Sequence, residues 1–177
     1  MRVALIRHPA MEIAPGVCYG RMDLALSEAG MAAVPEIADA ISGFGAACVW
    51  TSPSQRCAVV AEAVARGAEI RRDARLLELD FGEWEGVPWN DVPRVALDAW
   101  AASPAEFVAP GGESVAALVT RVTEVCAAIR QDGRDCVVVT HGGVLKVLGP
   151  LLRGDVLDLA VAAPGLGSVE IVELSEP

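Results

Sequence analysis

The stretch "VALIRHPA", residues 3–10, places a cationic pair directly after a short apolar run. A continuous apolar run of this length is typical of a strand that is covered on both faces. Pro9 has no backbone N–H to donate to a neighbouring strand, so it indicates that the strand ends near His8. We therefore predict a buried strand over residues 3–6, with Arg7 and His8 at its carboxyl end.

Three further runs read as strands, and helical patterns lie between them. The runs "AACVW" (46–50) and "CVVV" (136–139) are continuously apolar, whereas "VEIVEL" (169–174) alternates and predicts a strand with one exposed face. Helices are predicted over 27–42, 54–66, 113–130 and 144–152. Ser27 is the expected N-cap of the first helix, and Pro35 within it predicts a kink or a break. Gly67 and Gly133 follow the ends of two helices, as C-terminal glycines commonly do.

Alternating strands and helices predict the fold class and the domain count. Such a pattern favours a three-layer α/β/α sandwich with a mostly parallel sheet. The length of 177 residues is sufficient for one domain and short for two ordinary ones. We therefore expect a single domain over residues 1–177.

Composition excludes several classes of function. A formal net charge of −10 argues against nucleic acid or anionic membranes as partners. The apolar run at the start is too short for a signal peptide, and five cysteines without a Cys-x-x-Cys pair argue against a disulfide framework. We expect a cytoplasmic protein with no cofactor, whose oligomeric state the sequence does not give.

Both histidines of the chain follow an apolar run, and arginines accompany them. His8 and Arg7 end the first run, Arg56 falls in the first turn of the helix after the second, and His141 follows the third. Ligands of open α/β sheets bind at the carboxyl ends of strands, where helix N-termini also attract anions. Guanidinium groups match phosphate oxygens in geometry and charge. These residues together predict a phosphoryl-binding pocket.

The same histidines and arginines also have other interpretations. A lone histidine after a strand is more often a structural residue, and a lone arginine there often covers the core with its stem. Two histidines with a carboxylate could bind zinc, although neither histidine has a second ligand at the usual short spacing. We therefore expect no metal site, and the joint occurrence of two histidines and two arginines favours phosphate.

The chemistry of a nucleophilic histidine also requires an acid. A leaving alkoxide must gain a proton when phosphorus is attacked. The segment "LLELDFGEWEG", residues 76–86, offers four carboxylates, which are Glu78, Asp80, Glu83 and Glu85. The residues alone do not choose among them.

The quoted motifs resemble a known family. The stretches "LIRHPA", "TSPSQRCAVVAEAVA", "LLELDFGEWEG", "PGGES" and "VTHGGVLKVL" are similar, in order and spacing, to the phosphoglycerate mutase-like branch of the histidine phosphatase superfamily. The resemblance runs from residue 2 to about residue 150. It implies that His8 becomes phosphorylated and that Glu78 is the acid and base. It also implies four phosphate-binding residues, which are Arg7, Arg56, His141 and Gly142.

A finer resemblance concerns the substrate. The stretch "VCYGRMDLALSEAG", residues 17–30, resembles the α-ribazole phosphatases, which implies that Tyr19, Gly20 and Arg21 contact substrate. Trp84 belongs to an aromatic segment between residues 81 and 107 that either packs on the core or covers a planar leaving group. The chain departs from the family at Pro9-Ala10, where Gly-Glu is usual.

The resemblance implies a metal-independent phosphomonoester hydrolase that acts on a small phosphorylated metabolite, with α-ribazole 5'-phosphate as one candidate. The short chain favours a phosphatase over a phosphoglycerate-type mutase. A non-enzymatic phosphate-binding relative is the alternative from another class.

Overall fold

The structure, a computed structural model, describes residues 1–174. Their central sheet has five strands: β1 (Arg2–Arg7), β2 (Cys48–Thr51), β3 (Glu69–Arg72), β4 (Cys136–Thr140) and β5 (Val169–Glu173). The strand order is β3-β2-β4-β1-β5, and β5 runs antiparallel to β1 whereas the other pairs are parallel. The sheet is therefore mostly parallel, as the alternating pattern predicts.

Helices cover both faces of this sheet. The helices are α1 (Glu28–Ala40), α2 (Gln55–Ala65), α3 (Arg94–Ala102), α4 (Val115–Asp132) and α5 (Gly142–Arg153), and short 3₁₀ turns lie at Ala74–Leu76 and Gly82–Trp84. Ala4 and Ile6 of β1 pack in one buried cluster with α1 and α2. Val3 and Leu5 point to the opposite face and pack with α4 and α5. This two-sided burial explains the continuous apolar run and confirms the predicted α/β fold class.

The predicted helix that begins after Ser27 is confirmed, and of the kink or break predicted at Pro35 the break is wrong. Ser27 Oγ accepts a hydrogen bond from the backbone N–H of Gly30 at 3.1 Å, as an N-cap does. The helix continues through Pro35 to Ala40. Val34 and Ile37, on either side of the proline, are buried against the sheet, and this packing offsets the hydrogen bond that proline removes.

Strand register brings the predicted site residues together. Arg7 pairs with Thr140, and Thr51 pairs with Val139, so β1, β2 and β4 end at one edge of the sheet. The next residues along these strands are His8, Ser52 and His141. Among residues 1–174, no helix is both long and apolar enough to cross a membrane.

Candidate active site

His8 is buried and held in one tautomer. Its side chain is 1 % exposed, and Nδ1 lies 2.9 Å from the carbonyl oxygen of Pro9. A carbonyl oxygen only accepts, so Nδ1 carries the proton and Nε2 keeps its lone pair. Burial lowers the pKa of His8 from its ordinary 6.5 to about 3, the Pro9 bond opposes this shift, and the charges of Arg56 and Arg7 add to it. His8 is therefore a neutral imidazole near pH 7, with the electronic state of a nucleophile.

Two guanidinium groups beside His8 have no carboxylate partner among residues 1–174. Arg56 is fully buried and donates to the backbone carbonyls of Met22 and Gly20, at 2.6 and 2.7 Å. Arg7 donates to the carbonyl of Pro164, and the Nε atoms of both arginines are buried without a hydrogen-bond partner in the described residues. Buried charge is costly unless it is compensated, so two uncompensated cations favour a bound anion at this point.

His141 adds a second buried imidazole. It is the N-cap residue of α5, its Nε2 lies 2.8 Å from Ser52 Oγ, and its ring centroid is 5.1 Å from that of His8. Burial, followed by the charges of Arg56 and His8, lowers the pKa of His141 well below its ordinary value. In the ligand-free site His141 is consequently neutral and can donate an N–H rather than supply a full charge.

The first turn of α5 is shaped by two glycines. A Cβ atom on Gly142 would lie 2.9 Å from Cζ of Arg7, so only glycine lets this guanidinium approach the start of the helix. A Cβ atom on Gly143 would lie 2.4 Å from Oε1 of Glu78. The positive end of the helix dipole thus faces the same space as the arginines.

Of the four candidate carboxylates, the structure brings Glu78 to this space. Its Oε2 accepts from the N–H of Gly143 and its Oε1 from the N–H of Leu79, each at 3.0 Å. Asp80 accepts from the N–H of Gly82, Glu85 accepts from the N–H groups of Arg21 and Met22, and Glu83 is exposed. The other three carboxylates therefore serve the loops or solvent, and the geometry favours Glu78 as the acid.

A cavity of about 560 Å³ opens beside Arg7, Glu78 and the first turn of α5. Its polar wall contains Arg7, Glu78, Gly142, Gly143 and Lys146. The rest is mainly apolar: Leu79, Phe81, Leu97, Trp100, Ala101, Pro104, Val115, Leu118, Val147, Leu159 and Ala163. Lys146 Nζ donates to the carbonyl of Leu159 at 2.7 Å. The cavity can accept a phosphate at its polar wall and a largely apolar group elsewhere.

The four residues predicted to contact substrate lie outside the wall of this cavity. Gly20 supports Arg56 through its carbonyl, Tyr19 is half-buried, and Arg21 forms ion pairs with Asp80 and Glu113. Trp84 is 6 % exposed and packs in a separate cluster with other aromatic residues. Phe81 and Trp100, which belong to the same aromatic segment between residues 81 and 107, line the cavity instead.

The replacement of Gly-Glu by Pro9-Ala10 leaves the backbone functions of this segment in place. The carbonyl of Pro9 accepts from His8, and the carbonyl of Ala10 accepts from the N–H of Ser27. Ala10 therefore ties the segment to the start of α1.

No set of residues within 1–174 suits a metal ion. The described part of the chain holds no cluster of three or more His, Cys, Asp or Glu side chains with metal-binding geometry. The five cysteines are free and buried. The zinc interpretation of the two histidines therefore has no ligand set in these residues.

The fold is a mostly parallel α/β sheet, and two arginines, two buried imidazoles and the Glu78 carboxylate meet at its strand ends. The family model "Histidine phosphatase superfamily (branch 1)" matches residues 3–176. The chain belongs to this superfamily, and it is a phosphatase.

Three relatives illustrate the range within the family. The chain is 28 % identical over 162 residues to phosphoserine phosphatase 1 of Hydrogenobacter thermophilus, covering 87 % of this chain and 77 % of the relative. The structure of YhfR from Bacillus stearothermophilus is similar with a TM-score of 0.85 at 28 % identity, covering 98 % and 91 % of the two chains. The α-ribazole phosphatase of Shigella flexneri shares the fold, with a TM-score of 0.82 at 24 % identity over 89 % and 82 % of the chains.

Proposed function

We propose that this phosphatase hydrolyses phosphomonoesters through a covalent phosphohistidine on His8. The observation that carries the proposal is a buried neutral imidazole of fixed tautomer beside two guanidinium groups that lack a carboxylate. A phosphate dianion would compensate both charges and would lie against the lone pair of Nε2. No metal ion is needed for this arrangement.

The reaction would proceed in two balanced steps. In the first, the Nε2 lone pair of His8 forms a bond to phosphorus, the bond from phosphorus to the ester oxygen breaks, and protonated Glu78 gives that oxygen its proton. In the second, the Glu78 carboxylate takes a proton from water, the water oxygen attacks phosphorus, and the P–N bond breaks to release phosphate and neutral His8.

The charges of the pocket would stabilise both transition states. Arg7, Arg56 and an N–H of His141 would contact the equatorial oxygens, and the backbone at Gly142 would add the helix dipole. These donors are already held by the fold, so little reorganisation accompanies the reaction.

The cavity favours a hydrolase over a mutase. A mutase must hold a second anionic group of its substrate, whereas the wall beyond the polar side with Arg7, Glu78 and Lys146 is apolar. A purely phosphate-binding role would not explain why the Glu78 carboxylate lies beside the site.

The same wall favours a leaving group with a flat apolar part. Phe81 and Trp100 suit an aromatic ring, as in α-ribazole 5'-phosphate, and the stretch "VCYGRMDLALSEAG" supports the same candidate. Phosphoserine, the substrate that the Hydrogenobacter relative's name gives, carries an ammonium and a carboxylate that this wall would desolvate with little compensation.

A panel of phosphomonoesters tests both parts of the proposal. We expect kcat/KM for α-ribazole 5'-phosphate and naphthyl phosphate to exceed that for phosphoserine by at least about tenfold, as burial of a ring in an apolar pocket provides. Trp100→Ala should reduce this ratio, whereas Phe44→Leu, in the buried cluster on the other face of the sheet, should preserve it. An excess of phosphoserine turnover would contradict the substrate assignment, and transfer of phosphate to a second position of 3-phosphoglycerate would indicate a mutase.

A further inference from the structure

Arg121 of α4 lies outside the cavity wall but is bound to the loop that carries Glu78. Its side chain is 14 % exposed. Nη1 donates to the carbonyls of Arg75 and Leu77, at 2.7 and 2.6 Å, and Nη2 donates to the carbonyl of Glu78 at 3.0 Å. One guanidinium group therefore holds three backbone carbonyls of a four-residue segment, including that of Glu78 itself.

Glu113 holds Arg121 and the other side of the same loop. It forms an ion pair with Arg121, and the Glu113 carboxylate and the Arg121 guanidinium are both largely buried. Its Oε1 also accepts from the N–H of Asp80 at 3.2 Å, and its Oε2 lies 3.3 Å from Arg21. Arg121 and Glu113 thus fix the backbone immediately before and after the Glu78-Leu79 pair.

This support matters because the segment is irregular and is otherwise held by separate contacts, such as those of Phe81 N–H with Glu85 and of Arg21 with Asp80. Residues 77–81 belong to no helix or strand, and the Glu78 carboxylate itself accepts only the backbone N–H groups of Leu79 and Gly143 in the described structure. Hydrogen bonds from a charged donor are stronger than neutral ones, and α4 is an 18-residue helix packed on the sheet. The pair therefore connects an irregular loop to a rigid element of the fold.

Proton transfer is sensitive to such support. A carboxyl group acts as general acid only within hydrogen-bond distance of the leaving oxygen, and a displacement of about 1 Å can cost on the order of a hundredfold in rate. We infer that Arg121, held by Glu113, is a positioning residue that sets the Glu78 carboxyl group for proton transfer to the leaving oxygen. The inference rests on the proposed role of Glu78. It also assigns a function to Glu113 of the segment "PGGES", which is to hold Arg121 rather than to contact the substrate.

The experiment compares leaving groups rather than overall activity. Rates would be measured for p-nitrophenyl phosphate, whose leaving group departs without a proton, and for an alkyl phosphate, whose leaving group requires one. Arg121→Met keeps much of the side-chain volume and removes the donors. We expect it to lower kcat/KM for the alkyl ester about tenfold more than for the nitrophenyl ester, the pattern of a misplaced acid.

The chain offers a matched control on the same helix. Arg130 of α4 also donates from Nη2 to backbone carbonyls, those of Leu151 and Leu152, which are not in the cavity wall. Arg130→Met should lower thermal stability while it leaves the ratio of the two rates unchanged. Arg121→Lys retains a cation for Glu113 and provides the measurement if Arg121→Met fails to fold, with a smaller but still selective loss expected.

A double variant separates positioning from general damage. In the Glu78→Gln background, Arg121→Met should cause no further change in the ratio of the two rates, because the acid is already absent. Equal losses for both esters in Arg121→Met, or the same selective loss in the Glu78→Gln background, would overturn the inference. If Glu78→Gln itself shows no leaving-group selectivity, the acid assignment in the proposed function fails, and the role of Arg121 fails with it.

Discussion

A single backbone contact fixes the tautomer of His8. The carbonyl of Pro9 fixes the proton on Nδ1, and burial beside Arg56 and Arg7 keeps the ring neutral. Any peptide carbonyl at this place would fix the tautomer equally well, which explains how proline can stand where the family usually has glycine.

Replacement of His8 tests the covalent mechanism. His8→Asn retains an N–H near the position of Nδ1 but has no nucleophilic nitrogen at the position of Nε2. We expect turnover of p-nitrophenyl phosphate to fall by at least about a thousandfold, as removal of a nucleophile commonly does. Circular dichroism would show whether the fold is retained.

A rapid chemical quench provides the direct evidence. The wild-type protein should yield an acid-labile, base-stable phosphoryl adduct that His8→Asn lacks. Turnover in His8→Asn within a few-fold of the wild type would exclude this nucleophile.

At the residue scale, the sequence predicts which side chains the fold brings together better than it predicts which ones line the cavity. Both histidines follow apolar runs, and strand register necessarily brings such positions to one edge of a parallel sheet. The contacts of Arg121 with the acid loop span more than forty residues and involve carbonyl oxygens, which every residue possesses. No pattern of residue types could indicate them.

At the scale of the secondary-structure elements, the first turn of α5 tests the placement of Glu78. Alanine at position 143 should stabilise the helix locally by up to about 1 kcal/mol, because glycine is the poorer helix former. Its Cβ atom would, however, stand 2.4 Å from Oε1 of Glu78 and displace the carboxylate. We therefore expect Gly143→Ala to reduce kcat/KM by about tenfold or more, without loss of thermal stability.

Gly149→Ala provides the comparison within the same helix. Its Cβ atom would meet nothing closer than the flexible end of Arg153, at 3.4 Å. Activity in this variant should remain near the wild-type value. Unchanged activity in Gly143→Ala would show that Glu78 does not need its present position.

Two elements were not predicted, for different reasons. β3 is an edge strand whose side chains reach solvent and form ion pairs. Its charged residues Glu69, Arg71 and Arg72 therefore do not show the apolar or alternating pattern by which the other strands are predicted. α3 has only nine residues and none is fully buried, although Ala96, Leu97 and Trp100 pack on one side against the aromatic cluster. It contributes Leu97, Trp100 and Ala101 to the cavity, so under the proposed function this short element would help to select the leaving group.

At the scale of the whole molecule, the two buried histidines predict how stability changes with pH. In the unfolded chain each histidine takes up a proton near pH 6.5, whereas in the folded chain the pKa of His8 is about 3 and that of His141 is also well below the ordinary value. The unfolded state therefore binds more protons below pH 6.5. Stability should be complete above that pH and should fall as the pH decreases towards 3.

The expected slope approaches two protons, or about 2.7 kcal/mol per pH unit, near pH 5. The carboxylates of Asp73, Asp132 and Asp135 have pKa values that arginines hold below the usual range, so their contribution is lost only at lower pH. Urea unfolding at pH 7, 6 and 5 measures the slope, and His8→Asn should halve it. A flat profile over this range would contradict neutral burial of both rings.

The position of β1 in the sheet has a consequence for biosynthesis. β1 is synthesised long before its neighbours β4 and β5, and Arg7 reaches its pairing partner only at Thr140. Its contact with Pro164 spans 157 residues. The apolar run at residues 3–6 consequently stays unpaired while residues 8–135 are translated. Folds with such distant contacts form slowly, and exposed apolar strands aggregate readily. The proposed phosphate pocket cannot assemble on the nascent chain until β4 and the segment before β5 have emerged.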